Sequence, residues 1–163
     1  MSNLVYTALI HDIGKLIVPS EVIDKEGPLT KEEYELVKKH SLYSEEVLKD
    51  VDGFEEVASW LGQHHERLDG KGYPYQLKGD EITKQARIVQ MADVFSAISE
   101  HRPYRASMDN DEVLRKLNDM CQLNQLDHSL YLLLEKNVEQ LRPLIDVRLK
   151  QDIEKKNTFY LDN

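Results

Sequence analysis

Apolar residues in this chain recur at helical spacing almost throughout, and strand signals are nearly absent. Ile88, Met91, Ala92, Phe95 and Ile98 stand at i, i+3, i+4, i+7 and i+10, the stripe of an amphipathic helix. Phe54, Val57, Ala58 and Leu61 follow a similar stripe that reaches toward His65. Thr30-Lys31-Glu32-Glu33 reads as a capping box opening a helix that runs toward His40. Residues 109–121 and 127–142 read as two more helices, after which Pro143 interrupts and a polar helix continues toward Lys156. The pattern predicts an all-α fold. Two segments depart from it. Lys25-Glu26-Gly27-Pro28 is a turn by composition, and residues 67–79 form a glycine-rich loop between good helices. A loop of that length is more often functional than a mere connection.

Composition limits what such a bundle can do. With 163 residues the chain suits one domain around one core. Apolar runs such as Tyr131-Leu132-Leu133-Leu134 are far short of the roughly 20 residues of a membrane span. Met1-Ser2-Asn3-Leu4 has no basic start followed by an apolar stretch, so no signal peptide is expected. Lys and Arg total 21 against 30 Asp and Glu, a net charge of −9, which argues against a general nucleic-acid surface. The single Cys121 excludes an intrachain disulfide and any cysteine-based zinc cluster; a reduced thiol in a cytoplasmic protein is expected.

The chemistry-bearing residues concentrate in residues 1–106, which hold five of the six histidines, whereas 107–163 hold only His128. His11-Asp12 and His64-His65 are doublets of metal-ligand type, His40 lies between them, and Asp93 borders the strongest apolar stripe. An ionisable group beside an apolar face must be paired or ligated. Four imidazoles with two carboxylates suit iron, manganese, zinc or cobalt rather than calcium or magnesium, which prefer oxygen shells. Asp12 could bridge two metals through its two oxygens, which would make the site multinuclear. Each histidine taken alone is ordinarily a surface or core residue, and spacing by itself leaves the matter balanced.

The motifs add more. His11-Asp12-Ile13-Gly14-Lys15 resembles the signature of the HD-domain phosphohydrolases. The run His64-His65-Glu66-Arg67-Leu68-Asp69-Gly70-Lys71-Gly72-Tyr73-Pro74 is similar to the second signature of their HD-GYP subfamily. Leu29 to His40, the segment Ala86-Arg87-Ile88 through Phe95, and Arg102-Pro103-Tyr104-Arg105 follow the family's remaining blocks in order. The resemblance covers about residues 8–106. It implies an HD-domain helical bundle with residues 1–106 as catalytic core and 107–163 as C-terminal helices of the same domain. It implies hydrolysis of the bacterial second messenger cyclic di-GMP to the linear dinucleotide or to GMP. Two or more divalent transition metals, iron or manganese foremost, are implied as cofactors. His11, Asp12, His40, His64, His65 and Asp93 take the ligand positions, and Asp12 and Lys15 the catalytic ones. Lys15 would lie beside the substrate phosphate, with Arg87 and Arg105 as weaker substrate contacts. Gly72, Tyr73 and Pro74 would shape the site edge and meet protein partners, GGDEF proteins among them.

Three positions depart from the family's pattern. The family has helices before the His-Asp doublet, one supplying a further histidine ligand, but Met1 to Ile10 contain no His, Asp or Glu. Two readings follow: a piece of a longer phosphodiesterase, favoured by the helix-like approach of Ala8-Leu9-Ile10, or a degenerate HD-GYP module that signals by binding. A general nucleotidase is a weaker third. Ser96 stands where a second Asp is common. Gln76 stands where Gly is usual, and glutamine tolerates positive φ less well.

Overall fold

A computed structural model describes the backbone of residues 3–99 and 108–161 and the side chains of 3–99 and 108–145. Among the described residues there is no β-strand, only one antiparallel bridge between Asp69 and Lys78. The all-α expectation holds. The backbone groups into two compact units, Met1–Gln90 with Asn124–Leu126, and Met91–Leu123 with Asp127–Asn163. The expected boundary at 106/107 lies outside the described residues, as do His101, Arg102 and Arg105.

The first unit is built on α3. Helix α1 (Asn3–Ile10) leads into a 3₁₀ turn (Ile13–Ile17), a one-turn α2 (Ser20–Ile23), the long α3 (Lys31–Leu48) and α4 (Glu55–Gln63). A second 3₁₀ turn (Gly79–Glu81) precedes α5 (Lys84–Ser99). The capping box at the start of α3 is present: the Glu33 N–H donates to Thr30 Oγ1 at 3.2 Å, and the Thr30 N–H to Glu33 Oε2 at 2.6 Å. Past that start α3 continues to Leu48 and packs on the first 3₁₀ turn, α4 and α2. Gly14 lets the turn approach. A Cβ there would overlap the His40 carbonyl, and the Gly14 N–H donates to Ser44 Oγ at 2.9 Å.

Helix α4 buries Val57, Ala58 and Leu61, as its stripe predicts; it ends at Gln63, so His65 lies past it. Trp60 packs with Ile82 and Ala86, flanked by Leu68 and Leu77. The stripe on α5 needs correction. Met91 and Phe95 are buried, but Ile88 and Ile98 are only half-buried and Ala92 is exposed. Ala86 is buried because Trp60 and Ile82 meet the helix there.

In the second unit α6 (Asn110–Gln122) packs on α7 (His128–Leu161). Asp109 caps α6, accepting the Glu112 N–H at 2.8 Å. Val113, Leu117 and Cys121 form its buried stripe, and Leu130, Leu134 and Val138 that of α7. Each such Val or Leu side chain, when fully buried, contributes about 1.5–3 kcal/mol. The break expected at Pro143 is absent: α7 runs through it as one helix. Proline deletes one backbone hydrogen bond, and side chains anchor the helix just before it. Arg142 donates to the carbonyls of Ser99 and Met108 at 3.4 and 2.7 Å, and Glu139 accepts from Asn110 at 2.9 Å.

Candidate metal centre

Three elements of the first unit deliver its histidines. His11 and Asp12 occupy the bend where α1 ends, His40 sits inside α3, and His64 caps the end of α4 with His65 following. A shared local device orients three of the rings. The Nδ1 atoms of His11, His40 and His64 lie 2.9, 2.7 and 2.5 Å from the carbonyls of Ala8, Val37 and Leu61, each three residues earlier. A carbonyl only accepts, so each Nδ1 carries the proton and each Nε2 presents a lone pair.

Those lone pairs converge. His40 Nε2 lies 3.4 Å from His64 Nε2 and 3.1 Å from His65 Nε2. Asp12 Oδ1 is 3.3 Å from His40 Nε2, and Asp12 Oδ2 is 3.4 Å from His11 Nε2. One donor atom from each of Asp12, His40, His64 and His65 falls within 4.8 Å of the others. The His11 ring stands edge-on to His64 at 5.4 Å. His40 and His64 are only 1% and 0% exposed. Electron pairs aimed at one another in a buried space are unfavourable unless a cation sits among them. Nitrogen and oxygen donors with backbone-bonded second nitrogens are what a transition metal takes.

Charge at the site follows the same logic. Burial pushes the Asp12 carboxyl up, but its contacts with His11, His40 and Lys15 more than reverse this and hold it well below the ordinary range. Lys15 Nζ lies 2.7 Å from Asp12 Oδ2, so the lysine named from the sequence stands at the cluster. Asp93 lies half-buried on α5, in the second unit. Arg87, named from the sequence as a weaker substrate contact, lies on α5. Its guanidinium donates to the carbonyls of Ile82 and Gly79 and to Asp80, at 3.0, 2.9 and 3.1 Å, stapling the second 3₁₀ turn.

The glycine-rich loop is held from beneath by Glu66, a residue the sequence reading passed over. Its side chain is 0% exposed and accepts the backbone N–H groups of Tyr75, Gln76 and Leu77 at 2.6, 3.0 and 3.0 Å. Its own carbonyl accepts from Gln90 Nε2. Burial pushes the Glu66 carboxyl up, and the three N–H donors oppose that. The available signal was an acid adjoining the histidine doublet. Gly72 allows the loop to fold back, since a Cβ there would overlap the Arg67 nitrogen and Glu66 Cα. Tyr73, followed by a cis bond to Pro74, sets its ring 4.9 Å from His65 and 6.4 Å from His40. Gln76 takes φ of 57°, the left-handed conformation for which glycine is better suited. Lys38, also passed over, holds its ammonium 5.7 Å from the Tyr73 ring centre.

Against known proteins, residues 2–130 match the family model described as HD domain. The chain is 42% identical over 137 residues to the 3'3'-cGAMP-specific phosphodiesterase 1 of Vibrio cholerae, covering 84% of this chain and 32% of that protein. It is 40% identical over 112 residues to the cyclic di-GMP phosphodiesterase response regulator RpfG of Xanthomonas campestris, covering 68% and 30%. To a cyclic di-GMP phosphodiesterase of Thermotoga maritima it is 34% identical over 122 residues, covering 74% and 33%. The chain thus spans about a third of the length of these relatives.

Proposed function

This chain belongs to the HD-domain family, and from that premise we propose that it carries the metal site of a phosphodiesterase acting on a cyclic dinucleotide, cyclic di-GMP or 3'3'-cGAMP. The observation that carries the reading is the convergence of the His40, His64 and His65 Nε2 atoms with the Asp12 carboxylate. On this reading His11, Asp12, His40, His64 and His65 hold two or more divalent ions, iron or manganese. A metal bound there would supply an activated water at neutral pH and neutralise phosphate charge. Lys15 adds a cation beside Asp12 that a phosphate oxygen can reach, and the Tyr73 ring walls the cluster on the His65 side. Glu66 fixes that wall through three backbone bonds. The relatives' names support the substrate class. A cytoplasmic setting and contacts with GGDEF-type proteins through the Gly72-Tyr73-Pro74 loop belong to the same proposal. No helix among the described residues is long and apolar enough to cross a membrane.

The test is direct. The chain is loaded with manganese or iron(II) and incubated with each cyclic dinucleotide, and products are separated by chromatography. Release of linear dinucleotide or GMP is expected. A fully metal-loaded chain that hydrolyses neither substrate would sink the enzymatic reading.

A further inference from the structure

A cavity of about 270 Å³ lies in the first unit, walled by Val22 and Ile23 of α2, Leu29 of the following loop and Val37 of α3. Lys15 and Lys25 give it a polar rim. Two of its residues also serve the histidine cluster. Lys15 Nζ is 2.7 Å from Asp12 Oδ2, and the Val37 carbonyl accepts from His40 Nδ1 at 2.7 Å. Lys15 therefore borders the cavity and also contacts the histidine cluster through Asp12. A phosphate gripped by Lys15 at the cluster would carry its sugar and base toward this space.

Size and chemistry restrict the occupant. The cavity, about 270 Å³, is smaller than the roughly 300–1,000 Å³ pockets that enclose whole drug-sized ligands. It suits one base rather than a complete dinucleotide. Apolar walls accept the faces of a planar ring. Lys25 decides which ring. Its ammonium has three donors and no acceptor, and its position is fixed by Glu33 Oε2 at 2.6 Å. Glu33 is itself held by the cap of α3. Guanine presents two neighbouring acceptors, O6 and N7, to such a donor, whereas adenine sets an amino group beside its N7.

We propose that this cavity is a guanine subsite, with Lys25 reading the O6/N7 edge and Lys15 joining the base pocket to the phosphate. The proposal rests on the cyclic-dinucleotide reading, and both substrates proposed for the chain carry at least one guanine.

Filter binding on ice with the manganese-loaded full chain tests it, using cyclic di-GMP, 3'3'-cGAMP and cyclic di-AMP as probes. The unaltered chain should bind the two guanine-containing probes about tenfold or more tightly than cyclic di-AMP. Lys25→Met should weaken cyclic di-GMP by about tenfold and erase the preference over cyclic di-AMP, with metal content unchanged. Leu29→Trp, which fills the cavity, should weaken cyclic di-GMP while Lys25 stays in place. Circular dichroism confirms that both variants fold. Cyclic di-GMP bound equally by the unaltered chain and both folded variants would overturn the subsite alone, as would equal affinity for cyclic di-AMP. Binding of none of the three probes would overturn the cyclic-dinucleotide reading and the subsite with it.

Discussion

The smallest working part of the site is an imidazole whose Nδ1 proton is held by the carbonyl three residues before it. The pairs are His11 with Ala8, His40 with Val37 and His64 with Leu61. Residue type was legible in the sequence, but tautomer was not, because it depends on where a helix places its carbonyls. Asp12→Asn keeps shape and removes charge, so manganese content after loading and desalting should fall sharply by elemental analysis. Normal metal content would show that Asp12 is no ligand. Gln76 is a second case. The sequence marked it as standing where glycine is usual, and the structure gives it φ of 57°. Left-handed backbone costs a non-glycine residue about 1–2 kcal/mol. Gln76→Gly should therefore raise stability by about 1 kcal/mol after its own chain-entropy loss, seen as a higher urea midpoint. A lower midpoint would mean that the glutamine side chain contributes more than the strain removes. Glu66 was invisible for the opposite reason: its partners are backbone N–H groups of Tyr75, Gln76 and Leu77, which no residue pattern encodes.

Elements were legible where their signals were local. The box at Thr30 and Glu33 is written in four consecutive residues, and it forms. Thr30→Ala should cost about 1 kcal/mol of stability, measured by chemical denaturation. No change would mean that packing alone fixes the start of α3. Elsewhere tertiary contacts override local pattern. Helix α7 passes through Pro143, and Ala86 of α5 is buried against Trp60 and Ile82. Helix α6 offers a pH test. Burial first, then the Asp127 charge, pushes the Cys121 thiol from 9.0 up to about 11. Between those values the unfolded chain has lost the proton that the native helix keeps. Stability should therefore be unaffected below pH 9 and fall as pH rises toward 11. Cys121→Ala should flatten that slope in melts across the window; an unchanged slope would assign it to other groups.

At the scale of the whole molecule, the family resemblance implied that positions 11, 12, 40, 64 and 65 form one ligand set, but not how the chain brings them together. Convergence depends on α3 approaching the first 3₁₀ turn through Gly14 and on α4 ending where His64 can turn inward. The cavity at Lys25 was equally hidden, since its walls come from separate elements. The same geometry couples metal binding to stability. Donors from the α1 end, α3 and the α4 end surround one space, and unfolding scatters them. A metal that binds only the folded chain stabilises it by about 2.7 kcal/mol when present at 100 times its dissociation constant. Manganese titration should accordingly raise the melting temperature, and a chelator should reverse the rise. Acid should remove it as well. Metal-binding imidazoles must be neutral and protons compete with the metal for them, so the increment should shrink as pH falls. Asp12→Asn should melt at one temperature with or without manganese. A melting temperature indifferent to saturating manganese in the unaltered chain would mean that the cluster does not bind this ion in the folded state.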